Sequence, residues 1–148
     1  MLEREVERAK RQRYDLALLL MDIDNFKKFN DVHGHQAGDK VLRKMGEVVK
    51  GCIRENVDTA YRYGGEEFTV ILPNAGEEQA QKVAERIATG FGGLGFATVS
   101  VGLVVYRPEF TLDKFVRLAD EAMYMAKREG GNGVCLHPVS REENQGSL

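Results

Sequence analysis

Between Tyr61 and Leu72 the chain reads as two strands joined by a turn. Tyr61 and Tyr63 alternate before Gly64-Gly65, and Phe68, Val70 and Leu72 alternate after it. Glycine tolerates positive φ angles without strain, so the pair suits a two-residue hairpin turn. A hairpin commits the chain to a sheet with at least one antiparallel pair. The turn also exits directly into Glu66 and Glu67. Side-by-side carboxylates repel, and a strand start has no structural use for both. A divalent cation would remove the repulsion, so the hairpin marks a candidate metal site as well as a sheet.

The flanking segments say what kind of sheet it is. Leu16 to Met21 is a continuous apolar run of strand length that stops at Asp22, as expected of a strand buried on both faces. Asn25 to Asn30 reads as a short helix and Asp31 to His35 as a loop. From Ala37 to Arg54, apolar Val41, Leu42, Met45, Val48, Val49, Cys52 and Ile53 recur at helical spacing. A helix over Glu77 to about Thr89, a glycine-rich connection over Gly90 to Gly95, a β-branched strand over Thr98 to Tyr106, a helix over Leu112 to Lys127 and a short strand over Val134 to Leu136 follow. A hairpin among helix-linked strands predicts an α+β fold on a ferredoxin-like plan, a mixed central sheet flanked by helices. Residues 1–138 are expected to form one domain, opened by a charged helix over 1–13, and 139–148 a polar, disordered tail.

Composition narrows the partners. A formal net charge of −2 argues against general nucleic-acid binding, which needs a basic excess. Cys52 and Cys135 lie far apart without metal-ligand spacing and read as free thiols, consistent with a reducing cytoplasm. No apolar run approaches the ~20 residues of a membrane span.

If the first strand lies beside the hairpin, Asp22 meets Glu66 or Glu67 at one sheet edge. Strand alternation sends the two glutamates to opposite faces unless the turn distorts the backbone, so one should carry the chemistry. Oxygen-only ligands suit Mg²⁺ or Mn²⁺, shared with substrate phosphates. Singly, each acid is a solvated strand end; together at the ends of buried strands they read as a site. Beyond Asp22 the chain turns into a helix whose first amides could take a phosphate, with Lys27 and Lys28 adjacent. Asn30, Asp31, His33, His35 and Asp39 crowd the next corner. Asp39 could accept two hydrogens from an edge such as guanine N1 and N2, or simply favour its helix start.

These residues resemble the GGDEF family of diguanylate cyclase domains. The signature takes the form Gly64-Gly65-Glu66-Glu67-Phe68. It is joined by Asp22-Ile23-Asp24-Asn25-Phe26-Lys27, Asn30-Asp31, Gly34-His35, Gly38-Asp39, Thr98 to Gly102 and Ala119 to Tyr124, covering about Leu16 to Val134. The resemblance implies a nucleotidyl-cyclase-like fold and condensation of two GTP molecules into cyclic di-GMP. It implies Asp22, the Ile23 carbonyl and Glu66 as Mg²⁺ or Mn²⁺ ligands, with Glu67 in support and Glu66 deprotonating the ribose 3′-hydroxyl. Asn30 and Asp39 would recognise guanine, Phe26 and His35 would line the substrate pocket, and Lys27 and Lys127 would stabilise the triphosphate. Each domain would hold one GTP, so turnover would need a homodimer, driven by an attached sensory or regulatory domain.

Three departures stand out. The family's Arg-x-x-Asp inhibitory set falls on Glu55-Asn56-Val57-Asp58: Asp58 is kept, Glu55 replaces the arginine and Arg54 comes one position early, so feedback inhibition should be weak. The arginine expected four residues beyond Lys127 is Gly131, leaving Arg128 as the nearest guanidinium. The link from Ile87 to Thr98 is short, lacking a hairpin. These leave a catalytically silent GTP-binding module as the second reading, and a 3′,5′-cyclic mononucleotide cyclase as a third resting on fold analogy alone.

Overall fold

The structure is a computed structural model describing residues 1–139. Its elements are α1 (Leu2–Gln12), β1 (Leu16–Ile23), α2 (Phe26–His33), α3 (His35–Cys52), β2 (Thr59–Tyr63), β3 (Glu67–Pro73), α4 (Glu77–Gly92), β4 (Val99–Val105), α5 (Leu112–Arg128) and β5 (Gly133–Leu136). The strands form one sheet in the order β2-β3-β1-β4-β5. β1 is antiparallel to β3 and β4, β2 to β3, and β5 runs parallel to β4. The first four strands thus interleave as two split βαβ units, the ferredoxin-like plan, with β5 added at one edge.

β1 is central because its apolar run needs cover on both faces. Leu16, Ala17, Leu18, Leu19 and Met21 are all fully buried, and burial on both faces overrides the helix preference of leucine. Alternation sorts its side chains. Ala17, Leu19, Met21 and Ile23 join the core under α3 and α4, whereas Leu16 and Leu18 join the one under α1 and α5. Asp22 therefore falls on the α5 side of the sheet. α1, the charged helix expected over 1–13, is seated by Val6 and Ala9, both buried.

Four local expectations are corrected. Tyr63 pairs with Glu67, so the hairpin loop has three residues, Gly64-Gly65-Glu66, and only Gly64 among its glycines has positive φ, at 72°. Glu66 is thereby released from strand alternation. The stretch Asp31 to His33 is helical: nothing there breaks α2, and Gly34 alone (φ 91°) separates it from α3, its N–H donating to the Asn30 carbonyl. α4 continues through Gly90 to Gly92 because Phe91 is fully buried and holds the turn down. β5 starts one residue earlier, at Gly133. As expected from the short link, no strand lies between α4 and β4. Residues 140–148, most of the expected tail, lie outside the described residues.

One glycine sets the height of α5 above the sheet. A Cβ on Gly102 would collide with Met123 N and Ala119 O, so helix and strand backbones touch there. Lys127 lies one helical turn beyond Met123, and Ser100 lies two residues back along β4, paired with Asp22. The close approach thus lowers the end of α5 onto the carboxyl end of β1.

Candidate active site

β1 delivers Asp22 to a level where its sheet partners are Glu67 on β3 and Ser100 on β4. Cross-strand partners share a face, so Asp22 and Glu67 both project on the α5 side. Glu66 sits in the adjoining loop, and its carbonyl accepts the Ile23 N–H at 3.4 Å, tying the signature turn to the end of β1. The anticipated meeting of Asp22 with the glutamates is present.

The Asp22 side chain is only 17% exposed, and its Oδ2 lies 3.3 Å from Lys127 Nζ. Its Oδ1 is buried with no hydrogen-bond partner among the described residues. Burial raises its pKa to about 6; Lys127 opposes the rise, and Glu66 and Glu67 add to it. A buried, repelled carboxylate with an unsatisfied oxygen fits a hard divalent cation. No three His, Cys, Asp or Glu side chains form a preassembled metal cluster among the described residues.

Asp24 is the opposite case. It accepts from Thr98 Oγ1 at 2.7 Å, Ser100 Oγ at 2.6 Å, Asn132 N at 2.8 Å and Lys127 Nζ at 3.2 Å. Burial works to raise its pKa, but these hydrogen bonds outweigh it and hold the carboxyl below the usual range. Asp24 was visible in its motif without a role. Its signal was the pair of hydroxyls at Thr98 and Ser100 in an otherwise apolar strand, too short-range to name the carboxylate 74 and 76 residues away.

The second group gathers at the α2–α3 corner. The Asn30 side chain fills the space a Cβ on Gly38 would occupy, and its Oδ1 is buried without a partner among the described residues. Phe26 is buried at 6% exposure beneath the same corner, so it forms the floor. His35 and Asp39 are exposed on the first turns of α3, and Lys27 is exposed at the start of α2. Lys27, His35 and Asp39 make no hydrogen bond or ion pair to Asp22, Glu66 or Glu67 among the described residues. Arg128, the guanidinium nearest in sequence, lies 6.0 Å over the Tyr124 ring.

Arg54 and Asp58 are locked to each other. The guanidinium forks onto the Asp58 carboxylate at 3.0 and 2.7 Å, and Nη2 also donates to the Pro73 carbonyl at 2.6 Å. The Asp58 side chain is fully buried by these contacts. The residue of the inhibitory set that the sequence retained is thus engaged internally.

Comparison with known proteins adds to this geometry. Residues 1–133 match the family described as "Diguanylate cyclase, GGDEF domain". The chain is 35% identical to diguanylate cyclase DosC of Escherichia coli K12 over 93% of its own length and 32% of that protein's. It is 42% identical to diguanylate cyclase A of Treponema denticola over 82% of its length and 35% of that protein's. It therefore spans about a third of these relatives. Among solved structures it is similar to the GGDEF domain of DgcB from Caulobacter crescentus in complex with c-di-GMP, with TM-score 0.87, 33% identity and coverage of 92% of this chain and 85% of that one. The active GGEEF domain of a Vibrio cholerae diguanylate cyclase gives TM-score 0.85 and 33% identity, with 90% of each chain covered.

Proposed function

The chain belongs to the diguanylate cyclase GGDEF domain family, and from that premise we propose that it condenses two GTP molecules into cyclic di-GMP and two pyrophosphates. The observation that carries this reading is the buried Asp22 oxygen, unpartnered among the described residues, beside the glutamates of the signature turn. Asp22, the Ile23 carbonyl and Glu66, supported by Glu67, would hold Mg²⁺ or Mn²⁺. The cation supplies charge neutralisation at the phosphates and a more acidic 3′-hydroxyl.

The chain's own residues divide the remaining work. The unpaired Asn30 carbonyl oxygen and the Asp39 carboxylate accept the N–H groups of guanine, over the floor formed by Phe26 and beside His35. Lys27 and Lys127 offset triphosphate charge. Glu66 takes the 3′-hydroxyl proton. The freed 3′-oxygen bonds to the α-phosphorus of the facing GTP, the bond between α-phosphorus and bridging oxygen breaks, and pyrophosphate leaves. Repeating the exchange in the other direction closes the ring. One domain presents one such half-site, so a second copy must face it. The DgcB domain with c-di-GMP supports the product. The chain's one-third share of its relatives, and the structure of SiaD with its activator SiaC, support an attached or partnering regulator.

Incubation of purified protein with GTP and Mg²⁺, free and artificially dimerised, followed by mass spectrometry of the products, tests this. Cyclic di-GMP is expected, with specific activity rising with protein concentration. GTP binding without product, even in the forced dimer, would establish the silent module instead. Gly131 and the occupied Lys127 amine favour that second reading.

A further inference from the structure

Asp24 has no part in the reaction above, yet it is the most heavily hydrogen-bonded carboxylate of the site. Its donors come from the β4 segment, the α5–β5 turn and α5 itself. Three of them, Thr98, Ser100 and the Asn132 backbone, are neutral and fixed by the sheet and the turn. The fourth is the Lys127 amine, which lies 3.2 Å from Asp24 and 3.3 Å from Asp22, almost evenly shared. Gly131 completes the arrangement. At φ 74° it leaves only van der Waals space against Asp24, with a notional Cβ 2.9 Å from Oδ2.

We propose that Asp24 is a positioning residue that holds the Lys127 amine and thereby sets how strongly that amine competes with a divalent cation for Asp22. The inference rests on Asp22 being the cation-binding carboxylate of the proposed function. Lysine is a compact charge on a flexible stem with three donors, so its location follows its surrounding carboxylates. With Asp24 anionic and immobile, the amine keeps a second partner and can leave Asp22 without losing all compensation. With asparagine at position 24, the amine goes over to Asp22 and opposes the cation there. With the amine absent, Asp22 faces Glu66 and Glu67 uncompensated and takes a cation more readily. An amine retained by Asp24 alone stays beside the phosphates it is needed for.

The test is Mn²⁺ titration of the nucleotide-free full chain, followed by electron paramagnetic resonance, for wild type, Asp24→Asn, Lys127→Met and the double variant. Thermal unfolding is measured alongside. Asp24→Asn is expected to weaken Mn²⁺ binding about tenfold, the scale of an outer partner's effect on a metal site. Lys127→Met should tighten binding several-fold, and the double variant should match Lys127→Met. A purely architectural Asp24 predicts that the double variant binds as weakly as Asp24→Asn, which would overturn the proposal. So would failure of Lys127→Met to tighten binding; that variant leaves Asp24 and its neutral donors in place and tests the idea even if Asp24→Asn does not fold. In turnover, Asp24→Asn should raise KM for GTP more than it lowers kcat. Metal affinities in the expected order, with no cyclic di-GMP from any variant or from wild type even when artificially dimerised, would support the positioning role and overturn the cyclase reading.

Discussion

Replacing Asp22 with asparagine should make the metal-free protein more stable. The folded chain holds this carboxyl at a pKa of about 6, against 3.8 for a free aspartate, because burial and the neighbouring glutamates disfavour its charge more than Lys127 favours it. A shift of about two units corresponds to roughly 3 kcal/mol of cost for keeping Asp22 ionised. The side chain retains 17% exposure, so about 2 kcal/mol, or roughly 5 °C in Tm, is the expected gain at pH 8. Asparagine has the same shape and keeps an oxygen for Lys127. The pH dependence follows from the direction of the shift. The stability that protonated Asp22 contributes to wild type is fully present below about pH 3.8 and is lost as pH rises through about 6. The advantage of Asp22→Asn should therefore be largest above pH 7, fall to about half near pH 5 and nearly vanish at pH 4. Chemical denaturation in a chelator at a series of pH values measures it. A variant no more stable than wild type at pH 8, or a gain undiminished at pH 4, would refute the reasoning. The same variant should form no cyclic di-GMP, stability rising as function is lost.

Gly131→Ala should destabilise by about 1–2 kcal/mol, since the residue combines a positive φ with a Cβ pressed against Asp24; a Tm unchanged in scanning calorimetry would contradict the crowding. Arg54→Ala leaves the buried Asp58 carboxylate without its fork and should cost about 2–3 kcal/mol in urea denaturation. Because that pair is engaged internally, wild type should bind cyclic di-GMP weakly outside the active site, and tight Asp58-dependent binding in calorimetry would refute this. Gly102→Ala forces α5 off β4 and should cost about 3 kcal/mol, with KM for GTP rising as Lys127 is lifted; a fully stable variant would show the helix has room to shift.

What could be read from the chain depended on range. β1, α3 and α5 were legible because their apolar patterns record which faces are buried, and the hairpin was legible because glycine marks turns. The hairpin loop was misjudged by one residue because its length depends on the Tyr63–Glu67 register, set across the sheet. α4 ran past its expected end because Phe91 is held by core contacts that outweigh the glycines beside it. Asp22, Glu66 and Glu67 were proposed as cation ligands from local chemistry, and Asp39 as an acceptor for a guanine-like edge; the resemblance then gave each a role. The Asp24 hub was not, because its donors lie 74 to 108 residues further along the chain.

That separation bears on when the protein becomes itself during synthesis. Contacts between distant positions form late, since the intervening loop must close before they reward the chain. The signature turn, Asp22 and the α2–α3 corner all emerge early from the ribosome, but Asp24 acquires Lys127 and Asn132 only after α5 and the turn into β5 have been made. An unfinished chain would carry the recognisable motif without a placed lysine. The candidate site is complete only once Asn132 has been made, and a copy truncated before α5 would display the family's signature without the Asp24 hub.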